Sequence, residues 1–480
     1  MDARTPLGGL DHLIGFVTGM TLAVGLLFAT RRSRDRGALL AAAAVKAAYC
    51  LTLSYLTYYD LFRGSDVVGY HDSGVEYAQR LREDLQFGTG GYASKPLFFL
   101  PQGTNTDRCR SLSGFAHWLT LDSLIGASLL FTALGFVGQA LLYRAFVNRL
   151  PDRELTPWWR FGLLFMPSLT FWSSGLLKDP VGLFGLGLTF WGLTTFLDRP
   201  RPRAAFITAT GLYALLLYRS PLIPVFLLAS CPLLLASNRG GAMRLRRAYG
   251  PIVRIAAFAA GCLALVYFSR LDSRLSVDTV AQSMLAERGR YSLVGGGSTL
   301  TDLNLGGEVN LGGSSTLGLL GVLPESVIFT LCRPFPWEAA ASPMTILASL
   351  ENTALIGVVA YLWIRTFIRP ARALSLAATP LFWTCALLTV FFAFALGVST
   401  PNLGTVSRYR MPLMPFYWGA IVIMRSNLNR ERHRAPRTAT GRAHMAIGAR
   451  GGPPRDGLNP AVASCAKIGI VAAPHRDPSS

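Results

Sequence analysis

The sequence is divided into long apolar runs, many close to 20 residues, with the few charged residues in the gaps between them. A helix needs about 20 apolar residues to cross roughly 30 Å of hydrocarbon, where lipid offers the backbone no hydrogen-bond partner. Charged residues make up 15% of the 480-residue chain, against about 25% in a soluble protein. These features predict an all-α, polytopic integral membrane helix bundle and exclude an ordinary soluble domain.

The lengths of the runs predict about 11 transmembrane spans. For successive spans to alternate in direction, the segment 316–342 must enter and leave on the outer side as one re-entrant or interfacial segment. The spans are expected at 12–30, 38–58, 122–143, 161–176, 180–197, 204–218, 221–237, 254–269, 344–365, 376–397 and 411–425. Arginines follow the first span directly, and that span is longer than a signal-peptide core, so we expect it to stay in the mature chain.

Arginines crowd alternate gaps between the predicted spans. They are Arg31, Arg32, Arg34 and Arg36; Arg144, Arg149, Arg153 and Arg160; Arg199, Arg201 and Arg203; Arg239, Arg244, Arg246, Arg247 and Arg254; and Arg365, Arg369 and Arg372. Because cytoplasmic loops are enriched in Lys and Arg, this pattern predicts an N-terminus outside and a C-terminus in the cytoplasm. Topology therefore accounts for the net charge of +20, and we expect no nucleic-acid partner.

The predicted topology divides the chain into a transmembrane domain, 1–429, and a disordered basic cytoplasmic tail, 430–480, with too few large apolar residues for a core. Two long loops, 59–121 and 270–315, then lie outside. In the first, the apolar spacing of Val75–Phe87 predicts an amphipathic helix on the membrane surface. The second is rich in glycine, which favours a mobile loop.

Four glycines, Gly182, Gly185, Gly187 and Gly192, are spaced like a nucleotide-binding loop. They lie inside an apolar span, however, where glycine commonly permits close helix packing. We therefore predict that these glycines pack against neighbouring helices.

Five polar clusters fall on the predicted outer side. They are His71-Asp72, Lys178-Asp179, Tyr218-Arg219-Ser220, Arg333–Glu338 and Arg408-Tyr409-Arg410. Charges near a membrane are costly and tend to mark function, so we expect a shared cavity. Its arginines and lysine suit phosphate oxygens, while Asp72 and Glu338 are candidate general bases. The sequence contains no Asp-x-Asp, which disfavours a metal-bound nucleotide-sugar donor, and we expect neither a metal nor a cofactor.

Each of these residues also has a structural interpretation. Asp72 could cap the surface helix, since Asp is a favoured N-cap residue. Lys178-Asp179-Pro180 could be a turn that starts a helix. Arg219 could anchor its helix by extending its charged end toward the membrane surface.

Taken together, these motifs are similar to those of the polytopic glycosyltransferases that use polyprenyl-phosphate sugars, the GT-C type, and the chain also resembles membrane proteins of bacterial exopolysaccharide and O-antigen synthesis. The resemblance covers roughly 38–425. Its motifs are Tyr70–Gly74, Phe171–Pro180, Arg333–Glu338 and Asn402–Arg410. The chain departs from that class in an extra span before the first outer loop and in lacking a paired Asp-Glu there.

The resemblance implies a glycosyltransferase or polysaccharide-repeat polymerase in a bacterial inner membrane. Such an enzyme moves a sugar from a polyprenyl-phosphate-linked donor on the outer face. Asp72 would act as base or orient the acceptor. Some of the residues Lys178, Arg219, Arg333, Arg408 and Arg410 would hold the lipid phosphate. Its expected partners are the lipid-linked saccharide, membrane lipid and other polysaccharide-assembly proteins.

Two other functions fit the same residues: a flippase or exporter of lipid-linked saccharide, and a non-catalytic partner in polysaccharide assembly. Transporters commonly contain inverted repeats and helices broken near mid-membrane. The sequence contains no convincing repeat, and its polar clusters lie toward one face, which favours the enzyme.

Overall fold

The structure of the chain, a computed structural model, describes residues 7–59, 66–88, 99–100, 102–150, 152, 154–236, 323–341, 343–400 and 403–429. All of them belong to one compact unit, Met1–Asn429. The predicted span 254–269, the glycine-rich loop 270–315 and the tail 430–480 lie outside the described residues.

The described residues form helices and turns with no β-strand among them, which confirms the all-α prediction. In chain order the helices are α1 (Gly9–Thr30), α2 (Arg36–Tyr58), α3 (Val67–Phe87), α4 (Asn105–Leu119), α5 (Leu124–Arg149), α6 (Thr156–Arg160), α7 (Pro167–Trp172), α8 (Lys178–Asp198), α9 (Pro202–Arg219), α10 (Leu222–Ala236), α11 (Leu323–Cys332), α12 (Pro343–Phe367), α13 (Pro370–Ala377), α14 (Pro380–Ser399), α15 (Leu403–Tyr409) and α16 (414–429). A π-helical turn, Phe161–Phe165, separates α6 from α7, and 3-10 turns lie at Pro336–Ala341 and Met411–Leu413.

Within the described part of the chain, six helices are long and apolar enough to cross a membrane: α1, α2, α5, α8, α12 and α14. Each coincides with a predicted span. Helices α9, α10 and α16 coincide with three more predicted spans but are shorter or less apolar than these six. The total of about 11 spans therefore stays a prediction.

The predicted span 161–176 is not a continuous helix. The chain passes from α6 through the π-helical turn to α7 and then leaves helical geometry at 173–177. Pro167 starts α7 because its missing N–H is tolerated in a first helical turn. Gly175 has φ +80°, a conformation that glycine adopts readily and that no helix accommodates.

Two further segments differ from the predicted boundaries. The surface helix predicted at Val75–Phe87 begins at Val67, because the polar residues before Val75 also fit a helix. The segment predicted at 316–342 contains the short helix α11 and the 3-10 turn Pro336–Ala341.

Helix α8 packs closely against α5 and α9 through the predicted glycines. A Cβ on Gly187 would collide with the carbonyl oxygen of Gly138 on α5. A Cβ on Gly185 would lie 3.2 Å from the carbonyl oxygen of Gly211 on α9, and one on Gly192 2.6 Å from Thr208 Oγ1. The glycines thus permit close helix contact, which confirms their predicted role.

We expect Gly138→Ala to lower the melting temperature of the detergent-solubilised protein. Its Cβ would meet the backbone of Leu183 and Phe184, which cannot move aside without parting α5 from α8. Overpacking of this kind costs about 1–3 kcal/mol. Gly25→Ala on α1 is the matched control, because no atom lies within 4 Å of its added Cβ. Equal melting temperatures for the two variants would contradict the close contact.

Candidate functional site

Asp179 lies in the first turn of α8 and is fully buried. A helix N-terminus favours a negative charge, since the first backbone N–H groups have no partner within the helix. That effect alone does not offset the cost of burying a carboxylate, which normally requires a charged partner. The start of α8 therefore needs cations close by.

Two arginines supply them from distant parts of the chain. Arg219, the last residue of α9, donates from Nη2 to Asp179 Oδ1. Arg408 of α15 donates from Nε to Asp179 Oδ2 at 2.8 Å. Gly182, one turn after Asp179, leaves room for this arrangement, because a Cβ there would lie 2.9 Å from Arg219 Cγ.

Arg408 also pairs with a carboxylate that lies outside the five polar clusters of the sequence. Arg408 Nη1 lies 3.1 Å from Oδ2 of Asp66, which directly precedes α3, and the Asp66 side chain is 48% exposed. The Tyr409 ring lies beside both cations, its centroid 5.0 Å from Arg219 Cζ and 5.7 Å from Arg408 Cζ. We refer to Asp66, Asp179, Arg219 and Arg408 as the arginine cluster.

Arg410 extends to a different part of the bundle. Its Nη1 donates to the carbonyl oxygen of Arg333 at 3.3 Å, and the side chain is buried. Its Nε and Nη2 have no hydrogen-bond partner among the described residues. These two nitrogens form the side-on face of the guanidinium, which suits a carboxylate or phosphate with two parallel bonds.

Arg333 and Glu338 neutralise each other within one turn. Arg333 donates to both Glu338 oxygens, from Nε at 3.1 Å and also from Nη2, and the Phe335 N–H adds a bond at 2.9 Å. Partial burial alone would raise the pKa of Glu338, but Arg333 and the Phe335 N–H outweigh it and lower that pKa. Glu338 is thus a bound carboxylate and a poor candidate for a general base.

Arg408 and Arg410 differ in the charged groups that surround them. Burial alone would lower the pKa of Arg408, but Asp179 and Asp66 outweigh it and raise that pKa. Burial lowers the pKa of Arg410, and the opposing charge of Glu351 does not compensate. Of the two arginines, Arg410 is therefore the one without a sufficient counter-charge.

Three other predicted site residues lie outside these contacts. Asp72 is exposed on α3 and makes no hydrogen bond or ion pair with the described residues. The alternative that it caps a helix is wrong, because α3 begins at Val67. Lys178 donates from Nζ to Thr106 Oγ1 of α4 at 3.2 Å.

His71 pairs with His117 between α3 and α4. His71 Nδ1 lies 2.7 Å from His117 Nε2, and His117 Nδ1 lies 2.8 Å from the carbonyl oxygen of Ser113. Since a carbonyl oxygen accepts only, His117 carries its proton on Nδ1, and its Nε2 accepts from the His71 Nδ1–H. No sequence pattern indicated this pair, which forms where α4 folds back on α3.

No protein-family model, curated protein or solved structure matches the chain.

We expect Asp179→Asn to destabilise the protein by about 3–5 kcal/mol, because Arg219 would lose the carboxylate that it pairs with and Arg408 would keep only the half-exposed Asp66. Asp198→Asn, at the other end of α8, is the matched control. Asp198 pairs with Arg149 at 3.0 Å but is 56% exposed, so its loss should cost less than about 1 kcal/mol. Unfolding in detergent measures both variants. Equal losses would show that the Asp179 pairs contribute no more than a surface ion pair.

The buried His117 makes stability depend on pH. Burial, with a contribution from His71, lowers the pKa of His117 from 6.5 to about 4, so the folded state resists protonation. Between these values the unfolded state binds more protons, and the melting temperature should fall as pH drops from 6.5 to about 4.

His117→Gln should remove this part of the pH dependence, whereas His12→Gln should keep it, because His12 is exposed on α1. Parallel pH profiles for His117→Gln and the unaltered protein would contradict the assignment.

Proposed function

We propose that the protein is a glycosyltransferase that moves a sugar from a lipid-linked phosphate donor to an acceptor at the outer face of a bacterial inner membrane. The arginines near α15 bind the donor phosphate, and Asp66 takes the proton from the acceptor hydroxyl. This assignment moves the predicted base from Asp72 to Asp66.

One observation carries the proposal: three arginines around α15 keep buried donor atoms that are unused. Arg219 Nε, Arg408 Nη2, and Arg410 Nε and Nη2 have no hydrogen-bond partner among the described residues. A buried N–H without an acceptor costs about 1–3 kcal/mol, and more when the group is charged. An oxyanion with several oxygens, such as a phosphate, is the ligand class that satisfies donors of this kind.

The charge balance supports the same ligand class. The arginine cluster contains two cations and two carboxylates, and Lys178 and Arg410, which lie next to Asp179 and two residues after Arg408 in sequence, add positive charge. Asp66 is the half-exposed carboxylate of this group, while Asp179 is fully buried between its two arginines. Asp179 therefore organises the cations, and Asp66 is the carboxylate that an acceptor can reach.

The proposed transfer breaks the bond between the sugar C1 and the phosphate oxygen of the donor. A new bond forms between C1 and the acceptor oxygen, whose proton passes to an Asp66 carboxylate oxygen. The electron pair of the broken bond stays on the phosphate, where the arginine N–H groups stabilise the added charge.

Transport of the same lipid-linked saccharide is the second candidate. The observation that favours it is the interruption of helix at 161–177, beside a fully buried lysine, Lys46, midway along α2. Broken helices and ionisable residues near mid-membrane are common in transporters.

The test is mass spectrometry of lipid-linked saccharides and surface glycan from a deletion strain. The strain is complemented at matched protein levels with the native gene, Asp66→Asn or Asp72→Asn. We expect the deletion to accumulate a lipid-linked saccharide that the native gene and Asp72→Asn clear. Asp66→Asn should slow clearance by about 10²–10⁴-fold, the usual contribution of a general base.

Other outcomes separate the alternatives. Loss of clearance in Asp72→Asn with normal clearance in Asp66→Asn would return the base to Asp72. A precursor that a membrane-impermeant reagent reaches only from the cytoplasmic side would establish transport instead. An unchanged glycan profile in the deletion strain would rule out both functions.

A further inference from the structure

Lys46 is a fully buried ionisable residue in a helix of membrane-spanning length. It lies ten residues after the start of α2, or roughly 15 Å along a span of about 30 Å. Charged residues near the middle of a membrane are expensive and are commonly functional. None of the contacts proposed for sugar transfer involves Lys46.

The hydrogen bonds of Lys46 fit an uncharged amine. Its Nζ donates to Gln139 Oε1 at 3.2 Å and to Ser173 Oγ. Ser173 Oγ itself donates to the carbonyl oxygen of Leu169 at 2.5 Å, so towards Lys46 it only accepts. No carboxylate of the described residues lies within ion-pair distance of Nζ. Two acceptors satisfy the two N–H groups of an amine but leave one N–H of an ammonium without a partner.

The Lys46 amine bonds to Ser173 at the start of the segment that leads to the arginine cluster, and two further contacts hold that segment. Ser174 Oγ donates to the Lys46 carbonyl oxygen at 3.3 Å, and the Gly175 N–H donates to Thr132 Oγ1 of α5 at 2.8 Å. These contacts fix the non-helical segment 173–177, and α8 with Asp179 follows directly. A shift at Ser173 would therefore be transmitted to Asp179 over six residues.

We propose that Lys46 is a positioning residue: an uncharged amine inside the bundle that fixes segment 173–177 and thereby holds Asp179 between Arg219 and Arg408. Its importance for catalysis rests on the proposed sugar transfer. Its effects on geometry and charge state do not, and they are measured without any glycan assay.

The first test is a double-mutant cycle on the melting temperature of the detergent-solubilised full chain. Lys46→Met keeps the length of the side chain but cannot donate. If Lys46 acts through Asp179, the loss in Lys46→Met/Asp179→Asn should be clearly smaller than the sum of the single losses. Lys46→Met/Asp198→Asn is the control, and its losses should add. Additive losses in both cycles would overturn the positioning role.

The second test measures the protonation state of the Lys46 amine by NMR. The chain contains four lysines, so lysine-selective ¹⁵N labelling gives at most four side-chain signals, and the one missing from a Lys46 variant is assigned to Lys46. Its Nζ shift should be that of a neutral amine at pH 9, where an exposed lysine, with its ordinary pKa of about 10.4, is still an ammonium. A shift typical of an ammonium would overturn the uncharged state.

If Lys46→Met does not fold, Ser173→Ala takes its place in the cycle, because it removes the acceptor that the Lys46 amine uses on segment 173–177. Lys46→Gln, which keeps two N–H donors without a charge, then serves only to assign the Lys46 signal. In the cycle, Ser173→Ala should couple to Asp179→Asn and not to Asp198→Asn. A deletion strain with unchanged glycans would reject the proposed function while leaving both of these results intact.

Discussion

The side chain of Asp179 is fully buried, and the contacts of the helices around it depend on how its charge is paired. A buried charge loses several kcal/mol of hydration, which only close and well-oriented partners restore. The partners come from the end of α9 and from α15, 40 and 229 residues away in sequence. The two ion pairs therefore join three segments that have no local reason to meet.

Close helix packing makes these ion pairs possible. Gly182 faces Arg219, while Gly185 and Gly187 bring α8 against α9 and α5. Larger residues at these positions would move the end of α9 away from Asp179. The same contact between α5 and α8 places Gln139 and Thr132 near α2 and segment 173–177. The close packing of the helices thus positions the side chains that form the interior polar contacts.

Arg408 and Arg410, which follow Ser407, contact different parts of the bundle. Arg408 lies in the last turn of α15, whereas Arg410 follows the end of that helix, and the two side chains reach different elements. Arg408 meets the carboxylates of Asp179 and Asp66, whereas Arg410 meets the backbone of Arg333. One guanidinium is neutralised and the other keeps its side-on face unused. An anionic ligand at this position would bind beside a preformed ion-pair cluster, which keeps the arginines in place when the ligand leaves.

Sequence alone predicted the features that depend on local composition. The length and apolarity of a run decide whether it can cross a membrane, so α1, α2, α5, α8, α12 and α14 were predictable. The packing role of the glycines in α8 was predictable for the same reason, since a glycine within an apolar helix has few other uses. The sequence also selected Asp179, Arg219 and Arg408, because each is a charge next to an apolar run.

Which charges meet was decided only by the tertiary structure. Asp66 and Asp72 are six residues apart in one polar stretch, and the position of α3 relative to α15 places Asp66 at Arg408. His117 gains a partner only because α4 folds back on α3, and Lys46 only because α5 and segment 173–177 supply its acceptors. Composition determines whether a segment can be buried, because the free energy of burying its surface depends on the residues of that segment alone. The pairing of buried charges depends on distances between segments remote in sequence, which only the packed bundle fixes.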